Sequence, residues 1–237
     1  MLLITAQSMD LARFIQVFIV QGFAGFFYLF VWYKILKREA HGLNFILSNF
    51  YLFVAAGVIL NIIYVNIFNE TVVHILHFIT YYLLCLSLIF LLLFVLILLK
   101  SENVITVQKQ IALVLIFSLL ILGLWFIPNG ITIGVSTSWK PEWSWPFFLY
   151  SIIVCSVFAI GPIIYYSAKI DRSFKFQNLK RKWRYFLLGI AGYFFLYYGT
   201  SLSNTLADPT FRLIWSFLSL PCIASLYFIY YGVAKQL

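Results

Sequence analysis

Leu83-Leu-Cys-Leu-Ser-Leu-Ile-Phe-Leu-Leu-Leu-Phe-Val-Leu-Ile-Leu-Leu99 contains no charged residue and a single hydroxyl, Ser87. A segment that is apolar on every side has no face to offer water, so it reads as a helix enclosed by lipid or by other helices. Extended back to Thr71, the run exceeds the about 20 residues needed to cross a hydrocarbon layer about 30 Å thick. Six more runs of comparable length accompany it. The seven are placed at residues 11–36, 43–68, 71–99, 110–127, 145–168, 184–206 and 210–234. The expected fold is all-α, a polytopic seven-transmembrane-helix bundle forming one domain over residues 1–237.

Hydrophobic residues make up 64% of the 237 positions and charged residues 10%, a balance far from that of ordinary soluble domains. The connections are too short to hold a kinase or a nucleotide-binding module, so the activity must belong to the bundle itself. Cys85, Cys155 and Cys222 fall inside the third, fifth and seventh runs, where they read as small apolar packing residues. No disulfide is expected. Met1–Asp10 has no basic leader, and the first apolar run does not stop at a small-residue cleavage site; it is expected to remain as a signal anchor. Asn69-Glu70-Thr71 matches a glycosylation sequon but sits in a tight turn against the bilayer, so it is expected to stay unmodified.

Lysine and arginine orient the bundle. Thirteen of the sixteen fall on one side: Lys34, Lys37, Arg38, Lys100, Lys109, Lys169, Arg172, Lys175, Lys180, Arg181, Lys182, Arg184 and Lys235. Arg13, Lys140 and Arg212 fall on the other. The positive-inside rule then puts the N-terminus outside and the C-terminus in the cytoplasm, in a plasma membrane. The densest cluster, a basic, aromatic-interleaved loop from Lys169 to Arg184, holds Lys169, Arg172, Lys175, Lys180, Arg181, Lys182 and Arg184 against Asp171 alone. Such a cluster suits anionic lipid headgroups at the cytoplasmic face, at about 1 kcal/mol per residue near the surface, and offers a docking surface for an acidic cytoplasmic protein. The membrane accounts for these charges, so no nucleic-acid partner is expected.

No aspartate, glutamate or lysine lies at mid-depth of a run, which disfavours proton-coupled carriers and pumps. The seventh run also lacks the lysine that a retinal Schiff base requires. Polar residues gather instead in the predicted outer halves. On the third run His74, His77, Tyr81 and Cys85 share one helical face; on the sixth, Tyr193, Tyr197, Thr200 and Asn204; on the seventh, Arg212, Ser216 and Ser219. Gly57, Asn61 and Tyr64 of the second run and Gln16 of the first add to these. Asn61, His74, His77, Tyr81, Tyr197, Thr200, Asn204, Arg212 and Ser216 are therefore the candidate ligand-binding residues of an outward cavity about two turns deep. The competing reading treats the same side chains as hydrogen-bonding glue between helices.

A metal site would need a third ligand beside His74 and His77, and His41 lies across the bilayer from them. No metal and no cofactor is expected, while a pH-responsive imidazole pair fits the position better. The connection from Pro128 to Ser144 is the longest on the predicted outer side and carries Trp139 and Trp143, with Trp145 following. It reads as an interfacial aromatic belt, or as a lid over the bundle mouth. Pro162 and Pro221 should kink the fifth and seventh helices. Gly22-Phe-Ala-Gly25 and Gly189-Ile-Ala-Gly192 offer faces for close helix approach.

Seven helices with an outside N-terminus resemble, in layout alone, heptahelical receptors and the seven-helix sensor regions of prokaryotic signalling proteins. The chain has Lys100-Ser101-Glu102-Asn103 where such receptors carry an acidic-Arg-Tyr box, and Leu220-Pro221-Cys222 where they carry Asn-Pro-x-x-Tyr, so no family is assigned. The reading that results is a receptor-like sensor that takes a small ligand in the outer cavity and couples through the basic loop. The alternative is a transporter or facilitator of an uncharged or weakly polar small solute. No nucleophile–base pair stands out, so an enzyme is not expected.

Overall fold

The computed structural model describes residues 11–38 and 42–234; Met1–Asp10, His41 and Lys235, used in the readings above, lie outside them. Seven helices are long and apolar enough to span a membrane: α1 (Leu11–Arg38), α2 (Gly42–Tyr64), α3 (Glu70–Lys100), α4 (Val107–Phe126), α5 (Trp145–Ser173), α6 (Gln177–Leu206) and α7 (Pro209–Val233). The chain is an integral, multi-pass membrane protein. Between α4 and α5 a hairpin of two-residue strands, β1 (Ile131–Thr132) and β2 (Glu142–Trp143), pairs Ile131 with Trp143 and Thr132 with Glu142.

Local sequence sets the helix starts. Asn69 caps α3 by accepting the Val72 N–H at 3.1 Å, Ser144 caps α5 through the Phe147 N–H, and Asp208 caps α7 through the Phe211 N–H at 2.7 Å, with Pro209 next in the first turn. Because the Asn69 side chain is the cap of α3, the sequon is built into a helix start. Ala207, at φ 53°, makes the left-handed step that lets α6 turn directly into α7.

α3 is the central helix and α4 the peripheral one: 67% of the most apolar stretch of α3 is buried inside the protein, against 17% for α4. Leu88, Ile89, Leu91, Leu92, Phe94 and Val95 disappear into the bundle, whereas Ile111, Leu115, Leu119 and Phe126 face outward. Outward-facing phenylalanines such as Phe26 and Phe126, 76% and 80% exposed, are stable only where hydrocarbon takes the place of water.

Small residues set the closest approaches. A Cβ on Gly189 would lie 2.6 Å from the Ile229 backbone nitrogen and one on Gly192 would lie 2.5 Å from Ser225 Cβ, so α6 and α7 touch backbone to backbone. Gly25 packs on Val58, but Gly22 faces open space. Both prolines coincide with a change of hydrogen-bond pattern. Pro162 follows a π-helical turn, Ser156–Ile160, and Pro221 sits in a 3-10 turn, Leu220–Cys222.

One connection is shorter than expected. The basic stretch is not a loop from Lys169 to Arg184: Lys169 and Arg172 lie on the last turns of α5, Lys175 lies in the link between helices, and Lys180, Arg181, Lys182 and Arg184 lie on the first turns of α6. The reason is Trp183. Its ring is buried against Phe186 at 4.7 Å between centroids and its Nε1–H donates to the Ser167 carbonyl at 3.0 Å, which keeps α6 helical back to Gln177. Arg184 Nε meets Asp171 at 3.5 Å across the turn.

Candidate functional site

At the end of the bundle where α1 begins, α1, α2, α3, α6, α7 and the β2 hairpin arm surround a cavity of about 220 Å³. It runs from Arg13, Lys140 and Arg212 at the mouth to Tyr28, Leu84 and Tyr193 at the floor. Leu84 is fourteen residues into α3, which at 1.5 Å per residue places the floor about 21 Å from the helix start. The cavity is therefore about half the bundle deep, rather than the two turns expected from the sequence.

Of the candidate residues, Asn61, His77, Tyr81, Tyr197, Thr200, Asn204 and Arg212 line this cavity. His74 and Ser216 do not. The His74 ring packs edge-on against Trp125 of α4, 5.7 Å between centroids, which turns it towards α4 and away from the cavity. Ser216 is buried and its hydroxyl donates back to the Leu213 carbonyl at 2.7 Å, while Trp215 turns inward in its place. Room for that indole comes from Gly199, where a Cβ would lie 2.0 Å from the ring.

His77 is a strut, fully engaged at both nitrogens. Trp143 Nε1–H donates to Nε2 at 3.0 Å, so Nε2 carries the lone pair. The neutral ring then has its hydrogen on Nδ1, which donates to the Tyr64 hydroxyl oxygen at 2.7 Å. The result ties α2, α3 and the hairpin together, and leaves no ring nitrogen for a metal or a ligand. No cluster of three potential metal ligands occurs among the described residues. The hairpin is held down at further points: Trp143 packs on Tyr81 at 4.6 Å, Trp139 on Phe68 at 5.3 Å, and the Val135 N–H donates to Glu70 at 3.2 Å.

Hydroxyl networks bind the other walls. Tyr81 of α3, Ser151 of α5 and Tyr197 of α6 form a closed triangle, with Ser151 and Tyr197 2.9 Å apart and Tyr81 and Tyr197 3.2 Å apart. Tyr193 reaches Ser87 at 2.9 Å, and Trp215 Nε1–H donates to Thr200 at 3.2 Å. Tyr81, Tyr197 and Thr200 thus line the cavity and fasten helices at once. Asn204 differs: it lines the cavity, and its side chain makes no hydrogen bond among the described residues.

The sequence reading overlooked Gln21, Thr80 and Tyr28. In an α-helix, residues five apart point about 140° away from each other, so Gln16 and Gln21 share no face. Between Ile15 and Gln21, however, α1 is π-helical, and i→i+5 hydrogen bonding stacks the two side chains on the cavity wall. Asn61 Nδ2 donates to Gln21 Oε1, and Ser219 donates to Gln16 Oε1 at 2.9 Å. Thr80 and Tyr28 also line the cavity, and their hydroxyls are buried without a hydrogen-bond partner. No family model matches the chain, and no curated protein and no solved structure matches it either.

Below the floor the centre of the bundle is close-packed, and a second cavity, of about 300 Å³, lies to the side between α2, α3 and α4. Tyr28, Phe50, Tyr51 and Tyr193 interlock with ring centroids 5.1–6.1 Å apart. Under them Leu47, Leu88, Leu91, Phe94 and Phe186 are all under 2% exposed.

Proposed function

We propose that the protein is a receptor-like membrane sensor that binds a small ligand in the cavity between α1, α2, α3, α6 and α7. The observation that carries this reading is a largely apolar chamber that carries a few polar groups, entered from one end and stopped at half-height by a close-packed aromatic layer. A volume of about 220 Å³ lies below the about 300–1,000 Å³ of drug-sized sites, so the ligand is small. With the N-terminus outside, as the lysine and arginine distribution implies, the mouth faces the exterior and the basic ends of α5 and α6 face the cytoplasm. Ligand contacts on α6 and α7 would reach that end through the glycine-mediated contact at Gly189 and Gly192.

A screen for thermal stabilisation of the purified protein by small molecules tests this. Hits should lose their effect in Val58→Phe, which fills the cavity, and weaken in Asn204→Ala. Equal stabilisation of the wild type and both variants refutes the site. The floor at half-height also favours a facilitator more than a shallow pocket would; flux of a hit across protein-bearing liposomes, blocked by Val58→Phe, would select that reading over sensing.

A further inference from the structure

Below its mouth the cavity carries no charge. Arg13, Lys140 and Arg212 are the charged side chains among its described lining residues, and all three stand at the entrance. There the two arginines fasten the hairpin: Arg13 donates to the Ser138 carbonyl at 3.5 Å and Arg212 to the Pro141 carbonyl at 2.8 Å. Glu70, Glu142 and Asp208 stand at the same end of the bundle, so that end carries both signs of charge. His77 adds none, because its Nε2 accepts the Trp143 N–H and the ring is neutral.

Just inside the mouth the open polar groups are amides. Asn61 Nδ2 donates to Gln21 Oε1, which leaves the Asn61 oxygen and the Gln21 NH2 for an occupant. The Asn204 side chain, with no hydrogen bond of its own among the described residues, offers both a donor and an acceptor. Asn204 is two residues from the end of α6 and Asn61 three from the end of α2, about 3 Å and about 4.5 Å along their axes. Neutral groups that donate and accept suit a hydroxyl better than an ion.

Deeper in, Val20, Val54, Val58 and Leu84 make the wall hydrocarbon. The tyrosine hydroxyls at that depth are engaged: Tyr81 and Tyr197 bond each other and Ser151, and Tyr193 bonds Ser87. The unpartnered oxygens of Thr80 and Tyr28 have almost no accessible surface, so they present nothing to an occupant. An ion at this depth would lose its hydration without meeting a counter-charge, and a second polar group would lose its hydrogen bonds.

We infer that the ligand of this cavity is an uncharged amphiphile with one hydrogen-bonding head, in its simplest form a medium-chain alcohol. The head lies among Asn204, Asn61 and Gln21, and the hydrocarbon body descends against Val54, Val58 and Leu84. A two-chain lipid cannot be enclosed in about 220 Å³. This identity rests on the ligand-cavity reading above and adds the ligand's chemical class.

The test uses the full chain in zwitterionic-lipid nanodiscs near neutral pH and follows thermal unfolding with octanol, octanoate, octylammonium or the octanediol that has a hydroxyl at each end. Octanol at a hundredfold excess over its Kd should raise the midpoint by about 5–10 °C in the wild type and leave that of Val58→Phe unmoved. The two ions and the diol should each need at least about tenfold more compound for the same shift. Asn204→Leu, whose native side chain has no internal bond to lose, should weaken octanol about threefold to tenfold. If an ion or the diol matches octanol in the wild type and Val58→Phe abolishes both effects, the cavity stands and the uncharged, single-headed class is overturned. Unchanged octanol binding in Asn204→Leu overturns the placement of the head. If no compound distinguishes the wild type from Val58→Phe, the cavity reading itself falls, and this inference with it.

Discussion

The two halves of α3 are made of different material and do different work. From Glu70 to Leu84 the helix carries His77, Thr80 and Tyr81 to a cavity wall, with hydrogen bonds running to α2, α5, α6 and the hairpin. From Cys85 to Lys100 it carries an almost unbroken apolar surface into a close-packed core, with a cavity only to its side, where Phe90 and Leu93 face α2 and α4. Inside a membrane the apolar half gains no hydrophobic drive from leaving lipid, so its stability depends on close fit. The polar half relies on directional bonds, which can hold walls apart around a space. One helix thus pairs a rigid lower block with a hollow upper chamber.

The strongest way to break this contrast is to disturb the fitted half. Gly189→Val places methyl groups where the Ile229 nitrogen and Ser225 oxygen already stand within 3 Å of a Cβ. We expect loss of monodisperse folded protein by size-exclusion chromatography, whereas Gly22→Ala, with nothing within 4 Å, behaves as wild type. Next in size is Leu91→Ala, fully buried in the same block, with an expected loss of about 2–5 kcal/mol in a reversible unfolding assay. Val58→Ala merely widens an existing space and should cost less than half as much.

Smaller still is the chamber's strut. His77→Ala removes two hydrogen bonds worth about 0.5–1.5 kcal/mol each and releases Trp143. Hydrogen exchange across residues 128–144 should accelerate, with only a modest fall in the unfolding midpoint. His74→Ala, which loses a single edge-on contact with Trp125, should leave exchange in that hairpin unchanged. Equal effects of the two histidines would remove the distinction drawn between them.

Hydropathy made seven helices readable, because every backbone polar group in lipid must be bonded within its own helix and only long apolar runs satisfy that. Caps were readable too: Asn69, Ser144 and Asp208 act within three residues of themselves. The stripes on the second, third and sixth helices reached the cavity where α-helical periodicity holds, as with His77, Tyr81, Tyr197 and Asn204. Periodicity failed at Gln21, because a π-helical turn changes which residues share a face. It also failed at His74, whose direction depends on an aromatic neighbour from another helix. The Lys169–Arg184 stretch was misread as a loop because the buried Trp183 outweighs the surrounding charge.

By itself, the sequence determined that this chain lives in a bilayer as seven helices, because burying polar backbone in hydrocarbon admits almost no other solution for such a composition. Tertiary structure alone decided that Arg13, Lys140 and Arg212, more than 190 positions apart from first to last, meet at one mouth. It alone decided that both nitrogens of His77 are occupied and that Thr80 and Tyr28 are left unpaired. Those outcomes depend on which side chains from different helices arrive at the same point, and no local rule of spacing or propensity carries that information.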